Sequence, residues 1–169
     1  VLLSDEPIAP GTEGLVQLVL DRPLAGYWTL NITDPSIPFT GVIEHTNFIS
    51  PQEYGGKHLV YLSKYLEPDH PYFSMSDDDL MSAYLPHLQR INPQFDPDWI
   101  EARWIFRERS AQPIIPLNYS ERIPDHRTGL PGLYLANTTQ IYPEDRGTNY
   151  SVRLGNQIAQ LVDGDLAPG

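Results

Sequence analysis

The sequence contains no cysteine, which removes disulfides, thiolate nucleophiles and cysteine-based metal sites together. No apolar run approaches the roughly 20 residues needed to span a bilayer, so no membrane span is expected. Positive charge is scarce: 11 Lys and Arg stand against 22 Asp and Glu, a formal net charge of -11. A chain this acidic repels a phosphate backbone, which argues against nucleic acid and anionic lipid surfaces as partners. The histidines at 45, 58, 70, 87 and 126 include no pair at the strand i, i+2 or helical i, i+4 spacing used for metals. The Gly-x-Ser-x-Gly elbow of serine hydrolases is absent. So is the Gly-x-Gly-x-x-Gly turn that grips a dinucleotide pyrophosphate. A reducing, cytoplasmic setting is expected from these absences.

What is present describes a folded chain of short pieces. Hydrophobic residues make up 40% and charged residues 20%, an ordinary globular balance. The 17 prolines fall mostly between periodic segments, as in a fold of short elements joined by stiff turns. The first residue is Val1, not Met, and periodic sequence starts within about a dozen residues of it, so a piece of a longer protein is expected.

Four strands are predicted over 14–24, 27–33, 41–49 and 58–66, on connections short enough for an antiparallel sheet. Trp28 and Trp104 are assigned to the core, and the polar residues Glu44, His45 and Asn47 to a solvated face. Ser76 followed by Asp77, Asp78 and Asp79 reads as a capped helix start, because carboxylates suit the positive end of a helix dipole. Pro86 is expected to kink or divide that helix, and Asn92-Pro93 to close it. Trp99 to Ile105 reads as another strand. The stretch 111–131 is irregular, and Gly132 to Ala136 reads as a short apolar strand. A polar loop then leads to a final helix over 149–162, with Val152, Gly155, Ile158, Ala159 and Val162 as its apolar stripe. The expected division is a first α+β domain over 1–115 and a C-terminal strand-loop-helix segment over 116–169.

The run Tyr142-Pro143-Glu144-Asp145-Arg146-Gly147-Thr148-Asn149 carries the candidate chemistry. A glycine there permits close backbone approach, and Thr148 or Asn149 is placed to cap the following helix. The free amides of a first helical turn carry about half a positive charge and favour an anion.

These residues resemble the C-terminal signature of flavin amine oxidases, protoporphyrinogen oxidases and related FAD-dependent oxidoreductases. The strands 28–33, 41–47 and 54–63 resemble the substrate-domain strands of one branch of these enzymes, and Arg107 to Pro113 its return crossing. The resemblance covers nearly the whole chain. It implies an α+β substrate domain followed by the last strand and helix of a Rossmann-type FAD domain. It implies FAD as cofactor, with Tyr142, Pro143, Glu144, Asp145, Arg146, Gly147, Thr148 and Asn149 lining the flavin and Val152 packing near it. The implied reaction is hydride abstraction from a C–N or C–C bond of a small organic molecule, with no side chain here assigned as acid or base. Where the family usually has Ala-Gly-Asp, this chain has Ala136-Asn137-Thr138, so the expected acidic group is missing.

The missing pyrophosphate turn implies an N-terminal dinucleotide-binding half as partner, without which tight FAD binding by this chain alone is not expected. The strand 132–136 is then expected to pair with the substrate domain or a second copy of the chain, or to be disordered. Two alternatives stand beside this reading. One is a flavin-dependent sugar-nucleotide mutase, which arginines placed for a diphosphate would favour. The other is a non-enzymatic α+β binding or assembly domain.

Overall fold

The computed structural model describes residues 10–167 and separates into two compact units, one over 11–111 and one from Gln112 onward. The sheet unit is built from β1 (Pro10–Leu20), β2 (Thr29–Asn31), β3 (Gly41–Glu44), β4 (His58–Leu66) and β5 (Ile100–Pro113), the last of which runs on into the second unit. Their order across the sheet is β2-β3-β4-β1-β5, so the edges are the three-residue β2 and the long β5. β1 and β4 pair antiparallel from Thr12 opposite Leu66 to Leu20 opposite His58. Because the side-chain period of a strand is two, this register puts Val16, Leu18 and Leu20 on the same face as Val60 and Leu62.

That face is covered by one helix, α1 (Asp77–Ile91). Ser76 caps it by accepting the Asp79 amide at 3.1 Å, with three aspartates in the first turn as expected. Leu80, Met81, Tyr84 and Leu88 recur at helical spacing and are buried with Val16, Leu18, Leu20, Val42, Val60 and Leu62. Phe39 and Phe95 complete this core from the connections. Pro86 does not divide the helix, which runs as one element to its cap at Asn92. Pro86 itself is exposed, while Tyr84 and Leu88 on either side of it are buried and hold both parts against the sheet.

Several expectations need correction. The third strand stops at Glu44, and His45 to Asn47 form a turn of 3-10 helix. Glu44 is not on a solvated face: it is 1% exposed and accepts the amides of Leu24 at 2.9 Å and Ala25 at 2.6 Å. Trp104 is 49% exposed because it lies on the sheet face that has no helical layer, and Trp28, 50% exposed just ahead of the edge strand β2, packs on Phe48 with ring centroids 5.2 Å apart.

In the C-terminal unit the one long element is α2 (Thr148–Leu166). The strand expected over 132–136 is reduced to a single antiparallel bridge between Tyr134 and Arg127. Gly132, at φ 77°, turns the chain back, so that Thr128 N–H donates to Leu133 O and Leu135 N–H to His126 O. The segment thus pairs with the stretch just before it. A second correction concerns α2. Its buried residue is Leu154, with Ile158, Leu161 and Val162 half-buried, whereas Val152, Gly155 and Ala159 are exposed.

Candidate functional site

The loop that opens α2 is held by local bonds. Tyr119, buried, donates its hydroxyl to Thr139 O at 2.7 Å, and its ring lies 5.3 Å from that of Tyr142. Burial pushes the Tyr119 hydroxyl above its ordinary pKa. Asn137 and Gln140 form a capping box: Asn137 accepts the Thr139 amide at 2.9 Å and Gln140 accepts the Asn137 amide at 3.0 Å. Gln140 also donates to Pro124 O at 3.0 Å and meets His126 Nδ1 at 2.8 Å. Ile141 is buried behind this turn, and the chain passes through a cis Tyr142-Pro143 bond into the loop.

From there the expected site residues take three positions. Tyr142, Pro143 and Glu144 line a cleft of about 230 Å³ whose other wall is Tyr150, Arg153 and Gln157 of α2. Glu144 and Arg153 close it with an ion pair at 2.7 Å. The bond from Arg153 holds the Glu144 carboxyl below its ordinary pKa. Arg146 points elsewhere: its Nη2 donates to Gln112 at 2.7 Å, while its Nε is buried and has no hydrogen-bond partner among the described residues. Asp145 is exposed and accepts the Arg146 amide at 2.8 Å.

The third group is the opening of α2. Gly147, not Thr148 or Asn149, is the N-cap, and no side chain caps the helix. Thr148 and Asn149 are exposed in its first turn, and its leading amides have no side-chain capping acceptor among the described residues. An added Cβ on Gly147 would lie 2.6 Å from Asn149 Oδ1, and Gly147 leaves that approach open. Val152 is 60% exposed, away from the buried stripe. The far end of α2 is fixed by Asp165, which accepts two bonds from Arg127 at 2.8 Å and one from Tyr134 at 2.8 Å.

Two features here would suit an electron-rich group: the helix start has no side-chain cap, and one N–H of the Arg146 guanidinium, Nε, has no partner among the described residues. Tyr150, Arg153 and Gln157 were not foreseen in the site, although their spacing of three and four puts them on one helix face.

No protein-family model and no curated protein sequence matches the chain. Solved structures do. The crystal structure of "Putative protoporphyrinogen oxidase" from Exiguobacterium sp. 255-15 aligns with a TM-score of 0.65 over 92% of this chain, at 15% identity. An oxidoreductase from Methanosarcina mazei aligns with a TM-score of 0.54 over 89% of this chain, at 22% identity. In each case the match covers 35% of the solved chain, so this chain spans about a third of their length. The resemblance first read from residues is matched in three dimensions: the chain has the fold of a part of oxidoreductases of this kind.

Proposed function

We propose that the chain is the substrate-binding portion and flavin-facing C-terminus of an FAD-dependent oxidoreductase that removes hydride from a C–N or C–C bond of a small organic molecule. The observation that carries this reading is the uncapped start of α2, preceded in the loop by Arg146 with its unpartnered Nε, within a fold matched to part of two oxidoreductases. FAD, when bound, supplies the two-electron acceptor.

The amides of Thr148 and Asn149 offer donors and positive partial charge to an electron-rich ring edge. Arg146 adds a full charge, with Gln112 fixing the guanidinium. Gly147 keeps side-chain bulk out of the approach. Tyr142, Pro143, Glu144 and Asp145 form the rest of the loop, and Glu144 is braced by Arg153. The exposed face of α2, with Val152, Gly155 and Ala159, is the surface for a dinucleotide-binding half that supplies the missing pyrophosphate turn. The sheet unit, on the face away from α1, receives the apolar body of the substrate.

A mutase reading would need arginines placed for a diphosphate, and those near the end of β5 are engaged within the sheet unit. Arg103 is bonded to Asp78, Arg107 to Asp77 and to the carbonyls of Tyr72 and Met75, and Arg109 to the carbonyl of Pro68. Each of the three therefore already has an acceptor in the chain.

The test is flavin retention through gel filtration, read as absorbance of the isoalloxazine. The 169-residue chain is expected to elute colourless, and the longer polypeptide with its dinucleotide-binding half to elute yellow. A colourless longer polypeptide, after reconstitution with FAD, refutes the reading.

A further inference from the structure

The strand period leaves one sheet face turned away from α1, and its charge is one-sided. Odd positions of β1 and β4 share it, so Glu13 and Leu15 lie there with Tyr61 and Tyr65, Glu13 directly across from Tyr65. On β5 the exposure pattern slips by one after Ala102, as at a bulge, so that Ile105 packs toward the core. Trp104 and Phe106, each 49% exposed, therefore take the face away from it, as does Tyr65 at 62%.

The cations of this unit are all accounted for. Arg22, Lys57, Arg90, Arg103 and Arg107 pair with Asp21, Glu101, Asp34, Asp78 and Asp77 respectively. Arg109 donates to the Pro68 carbonyl and lies over the Phe73 ring. Lys64 falls at an even position of β4 with Leu62, on the opposite face. His45, at the end of the face, is engaged with the Tyr54 hydroxyl at 2.8 Å. Glu13, by contrast, has no side-chain partner among the described residues. Burial pushes its carboxyl above its ordinary pKa.

We propose that Glu13 sets the charge selectivity of this face, which takes an apolar organic molecule carrying positive charge and rejects one carrying carboxylate or phosphate. The aromatic rings supply area for the apolar body and negative faces toward a cation, and the unpaired carboxylate supplies the sign. The inference rests on the proposed function only in taking this face as the substrate surface. Charge preference is measured without flavin, so the two can fail separately.

The experiment titrates the 169-residue protein with phenylbutyl-trimethylammonium, phenylbutanol and phenylbutyrate, three probes with one apolar body, followed by tryptophan fluorescence. The ammonium is expected to bind tightest and the carboxylate weakest, about tenfold apart, which is the separation a difference of 1.4 kcal/mol produces. In Glu13→Gln the ranking is expected to collapse with the alcohol unchanged, and Trp104→Phe is expected to remove most of the signal. Equal binding of the carboxylate and the ammonium by the unaltered protein overturns the proposal. So does a ranking that survives in Glu13→Gln, or a failure of all three probes to bind.

Discussion

Glu44 Oε1 accepts the backbone amide of Leu24 at 2.9 Å, in a site where the side chain has no exposure to solvent. Its other oxygen takes the Ala25 amide at 2.6 Å, so one carboxylate fixes the connection between β1 and β2. Glu44→Gln turns one of these acceptors into a donor facing an N–H. The expected cost is about 1–3 kcal/mol, the usual penalty of a buried group left unsatisfied, measured by urea unfolding. An unchanged midpoint would show that the bond contributes nothing.

The two apolar surfaces should respond differently to truncation. Phe39 is fully buried, with its ring 5.3 Å from that of Tyr84, and Phe39→Ala is expected to cost about 3–5 kcal/mol. Val152, exposed on α2, should tolerate Val152→Ser within about 0.5 kcal/mol in this chain. In the longer polypeptide the same change should destabilise, because the face is then covered. Differential scanning of both forms makes the comparison.

Asp165 ties the end of α2 to the 127–134 turn. The two bonds from Arg127, then the one from Tyr134, hold its carboxyl at a pKa of about 2. A depressed carboxyl contributes stability above its unfolded pKa of roughly 4, and that contribution is lost as pH falls toward about 2. Helix α2 is therefore expected to loosen between about pH 4 and pH 2, seen as faster amide exchange near Ala167, whose N–H donates to Asp163 O. Asp165→Asn should remove that pH dependence. Persistence of the same titration in the variant would assign it to another group.

Much of the sheet unit was legible because its signals are local. The alternation over His58–Leu66 and the Ser76 cap with three aspartates each specify an element without reference to distant partners. Glu44 was misread because its partners, the amides of Leu24 and Ala25, lie about 20 residues away. Trp28 and Trp104 are core residues by type, but Trp104 falls on the sheet face without a helix, and Trp28 precedes the short edge strand β2 and meets only Phe48 as an aromatic neighbour among the described residues.

The strand over 132–136 has the right composition, yet a ladder needs neighbours, and here the segment finds only the Arg127 bridge. Helix α2 carries two apolar stripes offset by a few residues, and composition does not say which turns inward. In the candidate site, the loop 142–149 is a contiguous run and is legible as such in the sequence. Arg153 and Gln157 belong to it only through helical spacing, which sequence shares with any solvated helix face.

The central claim is that the opening of α2 and Arg146 were shaped to hold flavin. The most direct measurement is the FAD dissociation constant of the longer polypeptide with and without Arg146→Met, from flavin fluorescence. Loss of a charged donor should weaken binding about 10- to 100-fold, whereas without flavin the variant loses only the Arg146 Nη2 bond to Gln112 and is expected to be destabilised by about 1 kcal/mol. An unchanged dissociation constant would contradict the account.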